Sequence, residues 1–127
     1  MHKNFLSIAA FIGALSVALG AFGAHSLKTI LTNESLNVYE TGVRYQFYHV
    51  FALALTGILY KTYPNKLLVR AGWSFILGMI FFCGSIYLFT YGSAIGASFN
   101  WAGPITPLGG LFFILGWILL GIGIRKT

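Results

Sequence analysis

The chain has 127 residues, of which 57% are hydrophobic and only 8% are charged, and its formal net charge is +6. A soluble domain of this length needs a polar surface, and this chain has too few polar residues to supply one. Nucleic-acid binding is disfavoured, because the basic residues are scattered between apolar runs and form no continuous stripe that would neutralise phosphates. The composition therefore predicts a membrane protein.

The first apolar run covers about residues 5–24. It is longer than the roughly 7–15 apolar residues of a secretory signal peptide, so we expect it to be retained as a helix. Small residues recur along it at spacings of three and four, which predicts a face that packs closely against another helix. These residues are Ala9, Gly13, Ser16, Gly20 and Gly23.

Residues 25–40 are more polar and separate the first run from the second. Leu27, Ile30 and Leu31 are expected to lie flat on the outer membrane interface. Asn33 or Ser35 is expected to cap a helix that continues into the second run.

The second run, about residues 41–60, begins with a group of polar and charged side chains, among them Arg44, Tyr45, Gln46 and His49. Spacings of three and four place Gly42, Tyr45, His49, Ala52 and Thr56 on one helix face, flanked by Gln46. This face is predicted to point into the bundle. Glu40 and Arg44 lie on roughly the opposite face, four residues apart in the favourable order, and are predicted to form an interfacial ion pair.

The third and fourth runs cover about residues 68–91 and 103–124. Small residues recur every seven positions in both, as Ala71, Gly78, Ser85 and Gly92 in one and Gly109, Gly116 and Gly123 in the other. A repeat of seven keeps a small-residue seam facing one partner in a left-handed bundle. Pro104 and Pro107 suit the first turn of the fourth helix.

Each of the four runs is about as long as the roughly 20 residues that cross a bilayer as a helix. The predicted fold is therefore all-α, a polytopic four-transmembrane-helix bundle that forms a single membrane domain over residues 1–127. Four crossings place six of the eight lysines and arginines on the side of both termini and two, Lys28 and Arg44, on the other. The positive-inside rule then predicts that the N- and C-termini are cytoplasmic.

The predicted site is a polar cluster in the outer half of the membrane, with His49 about 12 Å below the outer end of its helix. Two interpretations of His49 and His25 stay open: hydrogen-bonded structural histidines, or a functional site, because ionisable groups inside membranes often mark ligands or pathways. A metal or haem site is disfavoured, since Cys83 is alone and no carboxylate completes a ligand set, so no cofactor is expected. The candidates are His25, Tyr45, Gln46, His49, Ser85 and Thr106.

The sequence contains no nucleophile elbow, zinc-protease motif, P-loop or dinucleotide fingerprint, and it has no aspartate. We therefore expect no enzymatic activity. The leading hypothesis is a helical partner in a membrane assembly, either a homo-oligomer or a larger complex, or a binder of a lipid-like ligand in the outer leaflet. The alternative is a conduit for protons or a small solute that uses His49 and His25. The expected partners are membrane lipids.

Four segments resemble a family of small four-helix membrane proteins known as domain of unknown function 423, which is similar to eukaryotic transmembrane protein 256. They are ALGAFGAHSL (18–27), YETGVRYQFYHVFALA (39–54), FFCGSIYLF (81–89) and ITPLGGLFFILGW (105–117). The resemblance covers nearly the whole chain, with one motif in each predicted helix, and implies a bacterial inner-membrane protein with four spans. It implies no activity. The motif positions here are His25, Tyr45, Gln46, His49, Ser85, Pro107, Gly109 and Gly110.

Overall fold

The computed structural model describes residues 1–126, which form four long helices joined by short turns. A π-helical segment, Met79–Cys83, joins the α-helical segments Lys66–Gly78 and Gly84–Ile95 into one continuous helix. Single 3₁₀ turns at Leu27–Thr29 and Asn100–Ala102 precede the second and the last helix. The helices are α1 (Lys3–His25), α2 (Asn33–Leu59), α3 (Lys66–Gly78), α4 (Gly84–Ile95) and α5 (Ile105–Arg125).

Helix α2 begins at Asn33, well before the start near residue 41 that its apolar run suggests. Its cap is Thr32, whose Oγ1 accepts a hydrogen bond of 3.2 Å from the Ser35 N–H, so the expectation that Asn33 or Ser35 caps the helix was wrong. The preceding turn is only partly exposed, because Leu27 is buried while Ile30 is 60% exposed. The first turns of α2 thus extend beyond its apolar run.

The helices pack as two antiparallel pairs, α1 with α2 and α3 with α5. In the first pair, a Cβ atom added to Gly20 would lie 3.6 Å from Val43, and one added to Gly13 would lie 3.5 Å from Val50. Helix α2 also contacts α3 and α4, which joins the two pairs. It therefore lies between α1 and the continuous helix that contains α3 and α4, and it has ten buried residues against four in α1.

The glycine seam predicted for the last helix is present and faces α3 and the π segment. An added Cβ at Gly109 would lie 2.2 Å from the Phe82 backbone nitrogen, and added Cβ atoms at Gly116 and Gly123 would lie 2.6 Å and 2.5 Å from Phe75 and Leu68. The three partner residues are also seven residues apart. The side chains of Phe75 and Leu68 pack over Gly116 and Gly123, and the backbone of Phe82 packs over Gly109, so the small residues let the two helices approach closely, as they do in membranes.

Three helical stretches are long and apolar enough to cross a membrane: Lys3–Thr29, Lys66–Ile95 and Asn100–Arg125. The four equivalent spans that the sequence suggests are thus reproduced only in part. Helix α2 is not among the three; it carries Glu34, Glu40 and Arg44 in addition to its polar face. The outer surface of the bundle is strongly apolar, with Phe11 76% and Phe51 68% exposed, which is the surface that a lipid environment favours.

Candidate functional site

His49 is the centre of the polar face of α2 and is 5% exposed. Its Nδ1 lies 2.7 Å from the Tyr45 carbonyl oxygen, and the indole N–H of Trp117 donates to its Nε2 over 3.2 Å. A ring that accepts at Nε2 and meets a carbonyl at Nδ1 is a neutral imidazole with its proton on Nδ1. The ring also stacks on Phe113, with 3.6 Å between centroids. His49 thus links α2 to α5 by one hydrogen bond and one stacked contact.

Gln46 and Tyr87 form a second polar contact, between α2 and α4. The Tyr87 hydroxyl donates to Gln46 Oε1 over 2.5 Å. Gln46 is 3% exposed, and its Nε2 has no hydrogen-bond partner among the described residues. A buried amide with one unpaired end carries a desolvation penalty, so this contact is only half satisfied.

Ser85 and Thr106 form a third contact, in which their hydroxyls are hydrogen-bonded to each other across α4 and α5. The Ser85 hydroxyl also donates to the Phe82 carbonyl over 2.9 Å. The expected cluster of His49 with these two residues does not form. The ring of Phe113, which stacks on His49, lies beside Gly78, and Ser85 is seven residues further along that helix, which is about 10 Å along its axis.

His49 lies nearer to the basic end of the bundle when its position is measured from the ends of the helices. Phe75 is nine residues from the start of α3, so His49 lies about 14 Å from the end of the bundle that holds Lys66 and Arg70. The opposite end is further away, because the continuous helix runs on to Ile95. The sequence argument measured the depth of His49 from residue 41, where the apolar run begins, and its position in the outer half of the membrane stays a prediction, because the first turns of α2 extend beyond that run.

His25 does not join the other candidates. It is exposed at the C-terminal end of α1. The pairing of Gly20 with Val43 and of Gly13 with Val50 sets the register of α1 against α2, and it places Ala14 opposite His49. His25 is eleven residues further along α1, which is about 16 Å along the helix axis. The two histidines therefore do not form one site.

Tyr45 is less buried than the helix-face argument predicts, with 38% of its surface exposed. Its ring packs on Phe82, with 4.8 Å between centroids. Together with His49 it lines an open groove of about 460 Å³ between α2 and α5, here called the α2/α5 groove. The remaining lining residues are Phe82, Pro107, Gly110, Leu111, Phe113, Ile114 and Trp117.

A second groove, of about 350 Å³, lies near the other end of the bundle between α1 and α4. We call it the α1/α4 groove. Tyr39, which is 3% exposed, and Tyr87 lie side by side in it, with 5.7 Å between ring centroids. Apolar side chains form most of the rest of its wall, chiefly Leu19, Phe22, Leu27, Ile30, Ala94 and Ile95.

The predicted ion pair between Glu40 and Arg44 is absent from the part of the chain that the structure describes. Arg44 Nη2 instead donates to the Thr41 hydroxyl over 3.0 Å. Both charged side chains are exposed, and the hydroxyl one turn before Arg44 is a closer acceptor than the carboxylate of Glu40. The physical reason is the small energy of an exposed pair, which does not hold two long side chains together.

Glu40→Gln is therefore expected to change the free energy of unfolding by less than about 0.5 kcal/mol. The measurement is unfolding of the purified protein in mixed detergent micelles. Thr41→Val, which removes the observed Arg44 acceptor, is the matched comparison. A loss of several kcal/mol from Glu40→Gln alone would mean that the carboxylate is buried in the assembled protein.

The sequence argument missed Phe113 and Trp117, which supply the stacked ring and the indole donor for His49. The available signal was their spacing of four, which puts both on one face of the last helix. Separately, within residues 1–126 no group of three or more His, Cys, Asp or Glu side chains is arranged to hold a metal ion.

Comparison with known proteins identifies the family. A model described as "Protein of unknown function (DUF423)" matches residues 19–110. A UPF0382 membrane protein of Staphylococcus haemolyticus, SH2409, is 38% identical over 125 residues, which cover 98% of this chain and 97% of that protein. YwdK, a UPF0382 membrane protein of Bacillus subtilis, is 35% identical over 129 residues, covering 98% of each chain.

A UPF0382 membrane protein of Haemophilus influenzae is 35% identical, over 100% of this chain and 98% of its own. No solved structure matches the chain. The resemblance seen in the four sequence motifs is thus confirmed over almost the full length of these relatives. The chain belongs to the DUF423 family of membrane proteins of unknown function.

Proposed function

We propose that this protein crosses the bacterial inner membrane four times, with both termini in the cytoplasm, and binds a lipid-like ligand without catalysing a reaction. The fourth span is supported by the packing of α2. It follows α1 from Gly23, beside Tyr39, to Leu6, beside Gly57. Since α1 is itself long and apolar enough to span, a helix that runs beside it from end to end occupies the same depth.

The orientation is supported by the exposed cations. Six of the eight lysines and arginines lie near the end of the bundle where the chain starts and finishes, and cytoplasmic ends of membrane proteins are enriched in such residues. The six are Lys3, Lys61, Lys66, Arg70, Arg125 and Lys126.

Thiol labelling of intact cells tests this topology. In a Cys83→Ala background, which removes the buried native thiol, we expect Asn33→Cys and Ser98→Cys to react with an impermeant maleimide added from outside. Thr62→Cys, in the exposed turn between α2 and α3, is expected to react only after the membrane is permeabilised. The reverse labelling pattern would show that both termini are periplasmic. Reaction of Asn33→Cys and Thr62→Cys from the same side would show that α2 does not cross the membrane.

The ligand site is proposed to be the α1/α4 groove, and the observation that carries this is its largely apolar lining, in which three of the four hydroxyl groups are already hydrogen-bonded and only that of Tyr91 has no partner among the described residues. The Tyr39 hydroxyl donates to the Leu19 carbonyl, the Tyr87 hydroxyl to Gln46 and the Thr90 hydroxyl to the Ile86 carbonyl. The groove therefore presents mainly ring faces and aliphatic side chains. It suits an acyl or isoprenoid chain, which gains contact area there while the hydroxyls of Tyr39, Tyr87 and Thr90 keep their partners.

Photolabelling tests this site. The purified protein is placed in vesicles of phosphatidylethanolamine and phosphatidylglycerol that contain phosphatidylglycerol with a diazirine on its acyl chain. We expect concentrated labelling of α1 near Leu19 and of α4 near Ile95. Ala94→Trp, which fills the groove, is expected to reduce it severalfold, whereas Ala18→Trp, on the exposed side of α1, leaves it unchanged. Labelling spread evenly over all exposed helix faces, or unaffected by Ala94→Trp, would contradict the proposal.

The alternative of a proton or solute conduit gains no support from the structure. His25 and His49 are separated by about 16 Å along the helix axis. Both ring nitrogens of His49 already have partners, and the groove beside it opens sideways between α2 and α5. A binding role is therefore favoured over transport.

A further inference from the structure

The α2/α5 groove differs in chemistry from the α1/α4 groove, because five aromatic rings from three helical segments line it. Tyr45 and Phe82 lie nearly parallel, 28° apart, and His49 and Phe113 are parallel within 10°. Trp117 closes the end nearest the basic side of the bundle. Flat ligands gain from such walls, because stacked rings are attractive beyond their buried area.

The polar groups of the groove are few and specific. The Tyr45 hydroxyl has no hydrogen-bond partner within residues 1–126, although its ring is held against Phe82. His49 is already satisfied, and no side chain in the lining carries a fixed charge. An unpaired hydroxyl on an uncharged aromatic wall calls for an uncharged ligand that carries a hydrogen-bond acceptor.

We propose that the α2/α5 groove binds a flat, uncharged ring that bears carbonyl oxygens at its edge and an apolar tail, which is the chemistry of a membrane quinone. The ring packs against the open side of this aromatic wall, and a carbonyl oxygen accepts from the Tyr45 hydroxyl. The tail leaves along Leu111 and Ile114, which are 63% and 57% exposed. The proposal concerns binding alone and is independent of the α1/α4 groove.

Gly110 keeps this groove open. An added Cβ at Gly110 would meet a single atom, Phe82 Cδ2 at 4.0 Å, so the space above it is free. A leucine there projects into the space that the ring would occupy. Gly121, on the same helix, has nothing within 4 Å of an added Cβ and does not line the groove, which makes it the matched control.

A second copy of the chain could occupy the α2/α5 groove instead of a ligand, but the side chains it would bring there argue against this. Docking through α5 would bury the Tyr45 hydroxyl against a helix whose exposed side chains along the groove are leucine, isoleucine and tryptophan. None of these offers an acceptor. The copy would therefore leave the hydroxyl unpaired in an apolar interface, which costs free energy.

The experiment uses decylubiquinone, a benzoquinone with a ten-carbon tail, and the fluorescence of Trp117. Trp73→Phe and Trp101→Phe leave Trp117 as the remaining tryptophan of the three. We expect saturable quenching by decylubiquinone in this parent, and no relief of it by excess decanol, which has the tail without the ring. Gly110→Leu is expected to abolish the saturable component, and Gly121→Leu is expected to retain it.

Tyr45→Phe keeps the ring and removes the hydroxyl, so we expect the Kd for decylubiquinone to rise by about three- to tenfold. The proposal is overturned if the parent shows no saturable quenching. It is also overturned if Gly110→Leu shows saturable quenching with the same Kd as the parent. Light scattering that shows a parent dimer dissociated by Gly110→Leu but not by Gly121→Leu overturns it too, since a second copy then fills the groove. If Gly110→Leu does not fold, Ile114→Phe narrows the same groove and takes its place.

Discussion

Gly109→Ala is expected to lower the free energy of unfolding by about 3 kcal/mol or more, the upper part of the range for overpacked cores. The added methyl group would lie 2.2 Å from the Phe82 backbone nitrogen and 2.7 Å from its Cα. A flexible side chain can move aside. The Phe82 backbone is held in the π segment between α3 and α4, so it can move only if α5 separates from that segment. The measurement is unfolding of the purified protein in mixed detergent micelles.

Gly110→Ala is the matched control, because it makes the same chemical change one position along the same helix. Its new Cβ would meet only Phe82 Cδ2, at an ordinary contact distance of 4.0 Å. We expect a change of less than about 1 kcal/mol, which includes the better helix propensity of alanine. Equal effects of the two substitutions would show that the close contact between α5 and the π segment is not maintained in the membrane.

The glycine series show how far a sequence predicts packing. A spacing of seven in the last helix correctly predicts which side of α5 packs closely, since it follows from helix geometry alone. It does not predict that Leu68, Phe75 and Phe82 pack over the three glycines. That pairing depends on which helices become neighbours and in which register, and many registers satisfy the same spacing.

For the polar face of α2, the sequence likewise predicts which side chains are buried but not their partners on other helices. Gln46 and His49 are buried, as their spacing within the helix predicts, because a helix packed between its neighbours directs its polar side chains away from lipid. Tyr45 is only partly buried, since α2 and α5 leave a groove between them at this level. The partner Trp117 is 68 positions away in the chain, and no local pattern contains that information.

The π segment had no sequence signal. MIFFC contains no proline or glycine, and its composition suits an uninterrupted α-helix. Such segments insert one extra residue into a helical turn and shift the faces that follow. Here the shift occurs where the Phe82 backbone meets Gly109, so the local geometry reflects a tertiary contact and could not be inferred from the five residues themselves.

His49→Leu is expected to reduce the free energy of unfolding by about 1–3 kcal/mol. The substitution leaves the Trp117 indole N–H without its acceptor and removes the ring that stacks on Phe113 at 3.6 Å. Lipid offers the exposed indole edge no replacement partner. His49→Gln is expected to cost less, because its amide oxygen can still accept from Trp117.

A double-mutant cycle isolates the hydrogen bond from the packing. Trp117→Phe removes the donor and keeps an aromatic ring, so His49→Leu and Trp117→Phe together should cost less than the sum of the two single changes. We expect a coupling energy of about 0.5–1.5 kcal/mol, typical of hydrogen bonds between membrane helices. A coupling near zero would mean that His49 stabilises the protein through its contact with Phe113 alone, and the Trp117 bond would then contribute nothing to joining α2 and α5.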